Sequence, residues 1–119
     1  MKVSRGDIVL VDYLFSDRTG SKLRPCLVVQ NDADNQRLDD TIVAAISSNT
    51  SRASYRTTQV IISVANSKGQ QSGLLNDSAV QCENIVTIDR QFVKRKIGTL
   101  AGTSLSEVDQ ALKTALALS

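Results

Sequence analysis

The sequence contains no histidine, so any catalysis must depend on other side chains. Histidine is the residue that ordinarily titrates near neutral pH, and it supplies the general base of nucleophilic triads and many zinc ligands. Chemistry in this chain must therefore come from a guanidinium, ammonium, carboxylate, hydroxyl or thiol group that the fold holds in a defined place.

Arg24 is the cation with the most rigid predicted attachment. Pro25 follows it directly, and a proline fixes its own φ angle and restricts the preceding residue to extended backbone. A planar, permanently charged guanidinium held in this way can donate two parallel hydrogen bonds to phosphate oxygens. The residues alone leave a second interpretation open, which is a surface salt bridge between Arg24 and a nearby acid.

Ser47 is a candidate hydroxyl at the end of a strand. It follows the apolar residues 41–46 and precedes a polar stretch, which is the usual position of a side chain presented to a ligand. A hydroxyl in that position can equally bond to nearby backbone. Because the chain has no histidine to activate it, we do not expect Ser47 to be a covalent nucleophile.

The charges are unevenly distributed, although the formal net charge is only +2. Residues 41–76 contain Arg52, Arg56 and Lys68 but no acid, and the basic residues at 18–24 and 90–96 form two further groups. This separation is compatible with a positive face that binds phosphates. An ordinary solvated surface would give the same pattern.

The two cysteines, Cys26 and Cys82, lie in apolar, strand-like stretches and lack the CxxC spacing of metal or redox sites. We expect buried thiols, with no metal and no cofactor. No apolar run is long enough to cross a bilayer, and the N-terminus lacks the basic and apolar regions of an export signal. The sequence therefore predicts a cytoplasmic protein with no membrane partner.

Short strands must position these residues. Apolar runs rich in β-branched residues predict strands at residues 8–11, 26–29, 41–46, 59–64, 79–82, 85–88 and 97–100. The polar segments 16–22 and 47–57 predict exposed loops that can touch a ligand.

The C-terminal segment has the pattern of an amphipathic helix. Apolar residues recur at spacings of three and four between Leu105 and Leu116, and Ser104 with Glu107 has the spacing of a capping box, so the helix should begin near Ser104. A chain of 119 residues has room for one ordinary domain, which we expect to span 1–119. The pattern predicts a mainly β, α+β fold with a small, strongly bent sheet or partial barrel.

Ordered blocks along nearly the whole chain resemble the MazF/PemK-type toxins of toxin–antitoxin systems. The blocks are RGDIVLV at residues 5–11, GSKLRPCLVVQND at 20–32, TIVAAIS at 41–47, GLLNDSAV at 73–80, NIVTID at 84–89 and IGTL at 97–100.

The resemblance implies a homodimer built on a small SH3-like barrel. Such a toxin is an endoribonuclease that cuts single-stranded RNA without a metal or cofactor, and a small cognate antitoxin neutralises it. The RNA 2′-hydroxyl would be the nucleophile, leaving a 2′,3′-cyclic phosphate and a 5′-hydroxyl. The resemblance assigns catalytic roles to Arg24, which would stabilise the charged transition state, and to Ser47.

Base recognition is expected from loop residues, because unstacked bases present polar edges and flat faces. The residues predicted to bind RNA are Ser21, Lys22, Arg56, Glu83 and Asn84, with Tyr55 as a possible stacking platform. Three positions depart from relatives. Many of these have Thr where this chain has Ser47. One branch has an Arg and an Asp, thought to act in catalysis, where this chain has Gln81 and Glu83, so the roles of these two residues are open.

Two other functions remain compatible with the sequence. One is a non-enzymatic toxin of the same broad fold that poisons DNA gyrase, as CcdB-like relatives do. The other is an RNA-binding module that has lost activity. The combination of Arg24-Pro25 with Ser47 favours the nuclease.

Overall fold

An antiparallel sheet forms the centre of the computed structural model, which describes residues 1–12 and 23–119. Its strands are β1 (Asp7–Val11), β2 (Arg24–Val28), β3 (Asp40–Ser47), β4 (Gln59–Ile62), β5 (Ser78–Asp89) and β6 (Val93–Thr99). They are arranged in the order β4, β5, β3, β2, β1, β6. The helices are α1 (Asp32–Arg37), α2 (Ser67–Gln70) and α3 (Gly102–Leu116), and a 3₁₀ turn at Arg90–Phe92 joins β5 to β6.

The sheet has an apolar cluster on each face because successive side chains of a strand point in opposite directions. In β1, Ile8 belongs to the cluster that α3 covers, whereas Val9 belongs to the opposite cluster. Val108 and Ala111 of α3 are buried against the first cluster. Burying one such aliphatic side chain stabilises the fold by about 1.5 to 3 kcal/mol. These contacts fix which face of each strand points towards α3. The predicted α+β class with a C-terminal helix is confirmed.

The predicted strands at 79–82 and 85–88 are one strand, β5, which contains a bulge where we had expected a break. Opposite it, β3 pairs with Ile85 and next with Gln81, so the three residues between them have no partner on β3. The strand continues because the backbone N–H of Cys82 donates to the carbonyl of Thr58, 2.9 Å away, at the start of β4. Bulges of this kind bend a strand and redirect its side chains.

Several other strand boundaries differ from those predicted, among them the start of β2 at Arg24, the start of β6 and the end of β4. β6 begins at Val93 rather than at residue 97. Its first half contains Lys94-Arg95-Lys96, which hides the apolar pattern of a strand, but an edge strand can carry such charged residues. β4 ends at Ile62, two residues earlier than predicted. There the chain turns away, and the backbone N–H of Val64 donates to the Asp77 carboxylate at 2.8 Å.

The C-terminal helix starts two residues before Ser104, near which it was predicted to begin, and the predicted capping box does not mark its start. α3 begins at Gly102, and its N-cap residue, Ala101, makes no side-chain capping bond. The buried Leu100 donates its N–H to the carbonyl of Gly6 at 2.9 Å, and this contact fixes where the chain enters the helix. A capping box contributes only about 1 kcal/mol, so the burial of Leu100 outweighs it.

The two short helices were not predicted, because neither is long enough to show an apolar stripe. Each begins at an asparagine cap: the Asn31 side chain accepts from the N–H of Asp34, and the Asn66 side chain accepts from the N–H of Gly69. No helix in the described part of the chain has the length and apolarity to span a membrane.

Arg5 ties the N-terminal segment to α3. Its guanidinium donates to the Val29 carbonyl at 2.9 Å and to the Asp109 carboxylate at 2.7 Å. Its backbone N–H donates to Asp32 at 2.7 Å. This hydrogen bond, followed by one from the Asn35 side chain, lowers the pKa of Asp32.

The sheet curls until its β6 edge meets the segment that follows α2. The backbone N–H of Thr99 donates to the carbonyl of Gln71 at 3.1 Å. Glycines permit the close approach: a Cβ on Gly98 would fall on the backbone of Ser72, and one on Gly73, whose φ is +74°, would fall on the backbone of Ile97. The contact therefore supports the predicted bent sheet and fixes the loop at 73–77 beside β6.

Replacing Gly98 with Ala should lower the free energy of unfolding by about 1 to 3 kcal/mol, because the added methyl group overlaps backbone that cannot move without breaking the Thr99 bond. Urea denaturation followed by circular dichroism measures the effect. Gly102→Ala is the matched control, since nothing lies within 4 Å of its added Cβ and alanine favours the helix. Equal stability of the two variants would contradict the proposed close contact.

Candidate functional site

An open cleft of about 950 Å³ lies where the start of β2, the end of β3 and the middle of β6 come together. The loop that Gly73 anchors forms one of its walls, with Leu75 and Asn76 at the rim. Gln81 and Asn84 of β5 also line it. The cleft is thus built from parts of the chain that are far apart in sequence.

The two predicted catalytic residues, Arg24 and Ser47, both line this cleft. β2 runs antiparallel to β3, with Cys26 opposite Ala45. Continuing that register by two residues brings Arg24, the first residue of β2, level with Ser47, the last residue of β3. Both side chains are half-buried, so a ligand can reach them.

The Ser47 hydroxyl has one local partner. Its Oγ accepts a hydrogen bond from the backbone N–H of Asn49 at 3.1 Å. A hydroxyl group has one donor and two acceptor positions, so its proton is left available to a ligand. The hydrogen bond to nearby backbone, which the sequence left open as an alternative role for Ser47, is therefore present. It holds the hydroxyl oxygen in place and does not use the hydroxyl proton.

The β5 bulge brings Asn84 into the cleft. Its side-chain amide donates to the Gln81 side-chain oxygen at 3.4 Å, and both residues line the cleft. Asn84 was predicted to bind RNA, whereas Gln81 was left unassigned. Together they present an amide pair of the type that can hydrogen bond with the edges of nucleobases.

Arg56 and Glu83, the other described residues predicted to bind RNA, do not line the cleft. They face each other, with Nη2 of Arg56 at 3.8 Å from Oε2 of Glu83. The same carboxylate oxygen accepts from the Gln59 side chain at 2.7 Å. Gln59 is buried, so Glu83 is held by partners within the protein.

Two of the residues predicted to bind RNA, Ser21 and Lys22, lie outside the described residues, as does the rest of the predicted loop at 16–22. Tyr55, the possible stacking platform, is 72% exposed but does not line the cleft.

Two cations in the cleft were not predicted as site residues. Arg95 and Lys96 of β6 line it together with Arg24, and no Asp or Glu is present among the described lining residues. The basic group at residues 90–96 was visible in the sequence, but β6 had been placed too late in the chain to bring it to the cleft. A described lining that contains three cations, of which Lys96 is paired with Asp7 behind it, and no acid suits a polyanion.

The two cysteines contribute no side chain to the cleft. Cys26 and Cys82 are buried and unpaired, and neither lines the cleft. Burial raises the pKa of the Cys26 thiol to about 12 and that of the Cys82 thiol to about 11, the latter also through the nearby Glu83 charge. Both are therefore protonated thiols at neutral pH and poor nucleophiles.

Comparisons with a family model and with a known protein agree with each other. The model of PemK-like, MazF-like toxins of type II toxin–antitoxin systems matches residues 4–116. Endoribonuclease EndoA of Bacillus subtilis is 36% identical over 121 residues, covering 99% of this chain and 97% of that protein.

Solved structures agree at the level of the fold. A mycobacterial endoribonuclease in complex with its cognate antitoxin has a TM-score of 0.79 at 22% identity, covering 98% of this chain and 97% of the other. A MazE–MazF structure from Deinococcus radiodurans has a TM-score of 0.76 at 18% identity, covering 100% of this chain and 99% of the other.

Proposed function

Because the chain belongs to the PemK-like, MazF-like family of type II toxins, we propose that it is a toxin endoribonuclease that cuts single-stranded RNA in the cleft containing Arg24 and Ser47. The family predicted from the ordered sequence blocks is confirmed by the match over residues 4–116. The curated relative, an endoribonuclease, supports the predicted activity. The proposal rests above all on one observation: Arg24, at the start of β2, and Ser47, at the end of the adjacent strand β3, line one cleft together with Arg95 and Lys96.

Cleavage of RNA through its own 2′-hydroxyl fits these residues. The 2′-oxygen forms a bond to phosphorus, the bond from phosphorus to the 5′-oxygen breaks, and a proton moves from the first oxygen to the solvent while the second oxygen gains one. The guanidinium of Arg24 would donate two hydrogen bonds to the phosphate oxygens as their charge develops. Ser47 would donate its free hydroxyl proton to the same phosphate and orient it.

The proposal needs no metal, because the substrate supplies the nucleophile and Arg24 supplies the positive charge. It also includes the partners and location predicted from the sequence: single-stranded RNA as substrate, a small cognate antitoxin, a homodimer and the cytoplasm. Two structural relatives were solved in complex with antitoxins, which supports the antitoxin as a partner here. The endoribonuclease relative favours this function over a gyrase poison or an inactive RNA-binding module.

Incubating the purified protein with a long single-stranded RNA in excess EDTA should give discrete fragments. Their 5′ ends should accept label from polynucleotide kinase without prior phosphatase treatment, and mass spectrometry should identify 2′,3′-cyclic phosphates. Products that carry a 5′-phosphate would exclude attack by the 2′-hydroxyl. Intact RNA together with inhibition of DNA gyrase would support the alternative function.

Arg24→Ala should reduce the single-turnover rate of cleavage by about 100-fold or more, because it removes a preorganised donor to the transition state. Arg24→Lys should recover only part of the rate, since an ammonium keeps the charge but cannot bind two oxygens in one plane. Arg52→Ala is the matched control, because Arg52 is exposed and does not line the cleft. A folded Arg24→Ala protein with the wild-type rate would remove Arg24 from the mechanism.

Ser47→Ala should also slow cleavage strongly, whereas Ser47→Thr should retain or increase the rate, because the hydroxyl survives and the β-branched side chain has fewer rotamers. Ser54→Ala serves as control for loss of an exposed hydroxyl outside the cleft. The readout is again single-turnover cleavage of an oligonucleotide that contains a mapped site. An unaltered rate in Ser47→Ala would leave this residue with its backbone bond to Asn49 as its only role.

The protein should sediment as a homodimer at micromolar concentration. The sequence has 41% hydrophobic residues in a chain of only 119, and Ile61, Leu116 and Leu118, which do not line the cleft, remain 47%, 51% and 61% exposed in the single chain. Symmetric association is the common way in which a small protein covers such surface. Sedimentation velocity that detects only monomer would refute the dimer.

A further inference from the structure

Strand β6 presents three consecutive cations beside the cleft: Lys94, Arg95 and Lys96. It is the edge strand next to β1, and its pairing with β1 is irregular. Arg95 lies opposite Leu10, and Val93 lies opposite Val11, so Lys94 is an additional residue in a bulge. The bulge gives the three side chains different surroundings although they are adjacent in sequence.

Two of the three cations are poorly placed to bind a phosphate in the cleft. Lys96 lies in the cleft but is paired, with its Nζ at 3.2 Å from the buried carboxylate of Asp7. Lys94 is exposed and does not line the cleft. Arg95 is exposed and lines the cleft, and its guanidinium makes no hydrogen bond or ion pair within residues 1–12 and 23–119.

The position of Arg95 is defined by the sheet. Leu10 of β1 lies opposite Pro25 on one side and opposite Arg95 on the other. A line across the strands therefore joins Pro25, next to Arg24, to Arg95 by way of Leu10. Adjacent strands are about 4.8 Å apart, so the backbones at Pro25 and Arg95 are separated by about 10 Å. All three positions on this line border the cleft.

The guanidinium of Arg95 has no carboxylate partner among the described residues, and no acid is present in the described lining of the cleft, so a bound anion would supply the missing negative charge. The planar donor array of arginine matches a phosphate, to which it can donate two hydrogen bonds. We propose that Arg95 binds a backbone phosphate of the RNA other than the one that is cut, so that the RNA crosses the sheet from β2 over β1 to β6. This inference rests on the proposed function and adds a second phosphate site to the same cleft.

Arg95 is thus a binding residue and not a catalytic one. Its contact exists both before and during the reaction, so its loss should weaken RNA binding without slowing the bound complex. Each phosphate contact on a single strand contributes about 0.7 to the slope of log affinity against log salt concentration. Arg95→Ala should therefore reduce the magnitude of that slope by about 0.7.

The matched control is Lys94→Ala. It removes the same charge from the neighbouring exposed residue, outside the cleft. Fluorescence anisotropy should be measured over a series of salt concentrations with an RNA oligonucleotide that contains a mapped cleavage site. A 2′-deoxy nucleotide at that site prevents cleavage during the measurement. Arg95→Ala should lose affinity and slope, whereas Lys94→Ala should keep the wild-type slope.

A second arm locates the phosphate. The oligonucleotide is shortened one nucleotide at a time from each end, and the affinities of wild type and Arg95→Ala are compared at each length. The difference between them should disappear when nucleotides are removed from one end only. A difference that persists down to the shortest bound RNA would place Arg95 at the cut phosphate and overturn the proposal, as would equal slopes for Arg95→Ala and Lys94→Ala.

The cleavage rate at saturating RNA distinguishes a failure of this inference from a failure of the proposed function. With RNA at saturating concentration, Arg95→Ala should cut within about twofold of the wild-type rate. A large loss of that rate with unchanged affinity would make Arg95 part of the catalytic machinery and refute its binding role. If the wild type binds RNA but cuts none, the proposed activity fails, while an unmodified RNA still tests the phosphate contact through the salt slope.

Discussion

The antiparallel register of β2 against β3 is the constraint on which the cleft depends. With Cys26 opposite Ala45, the start of one strand must lie level with the end of the other. A slip of one residue would separate Arg24 from Ser47, and it would also turn Cys26 and Leu27 to the wrong faces of the sheet. These two residues belong to different buried clusters. The packing of both faces therefore maintains the geometry of the site.

Bulges in two strands bring further side chains to the cleft that the regular register of β2 and β3 forms. The bulge in β5 brings Asn84 and Gln81 to the cleft, and the bulge at Lys94 in β6 lets Arg95 face the cleft beside a neighbour that does not. The glycine contacts between the segment after α2 and β6 then set the wall that carries Leu75. Bulges and close backbone contacts cost regular hydrogen bonds or side-chain packing, and here they occur around the cleft.

The distribution of acids explains why the cleft is cationic although the chain is nearly neutral. Glu83, next to the cleft residue Asn84, is held by Gln59 and Arg56, whereas Asp7 pairs with one of the cleft cations, Lys96. Asp32 and Asp109 are bound by Arg5, and none of these three residues lines the cleft. The positive potential available to an RNA backbone thus arises from where the cations and acids lie, since the net charge of +2 is small.

The sequence by itself determined the class of fold, the family and the two residues at the centre of the cleft. Apolar periodicity is a local property, so it revealed most strands and the terminal helix, and the ordered blocks placed Arg24 and Ser47. Apolar periodicity did not reveal the continuity of β5, the early start of β6 or the residues that these two features bring to the cleft. Those depend on which backbone groups pair across long separations, as when Cys82 bonds to Thr58. The tertiary structure alone decided that Glu83 and Arg56 face each other while Arg95 faces the cleft, because register and bulges are settled by packing between strands and not by any one strand's own residues.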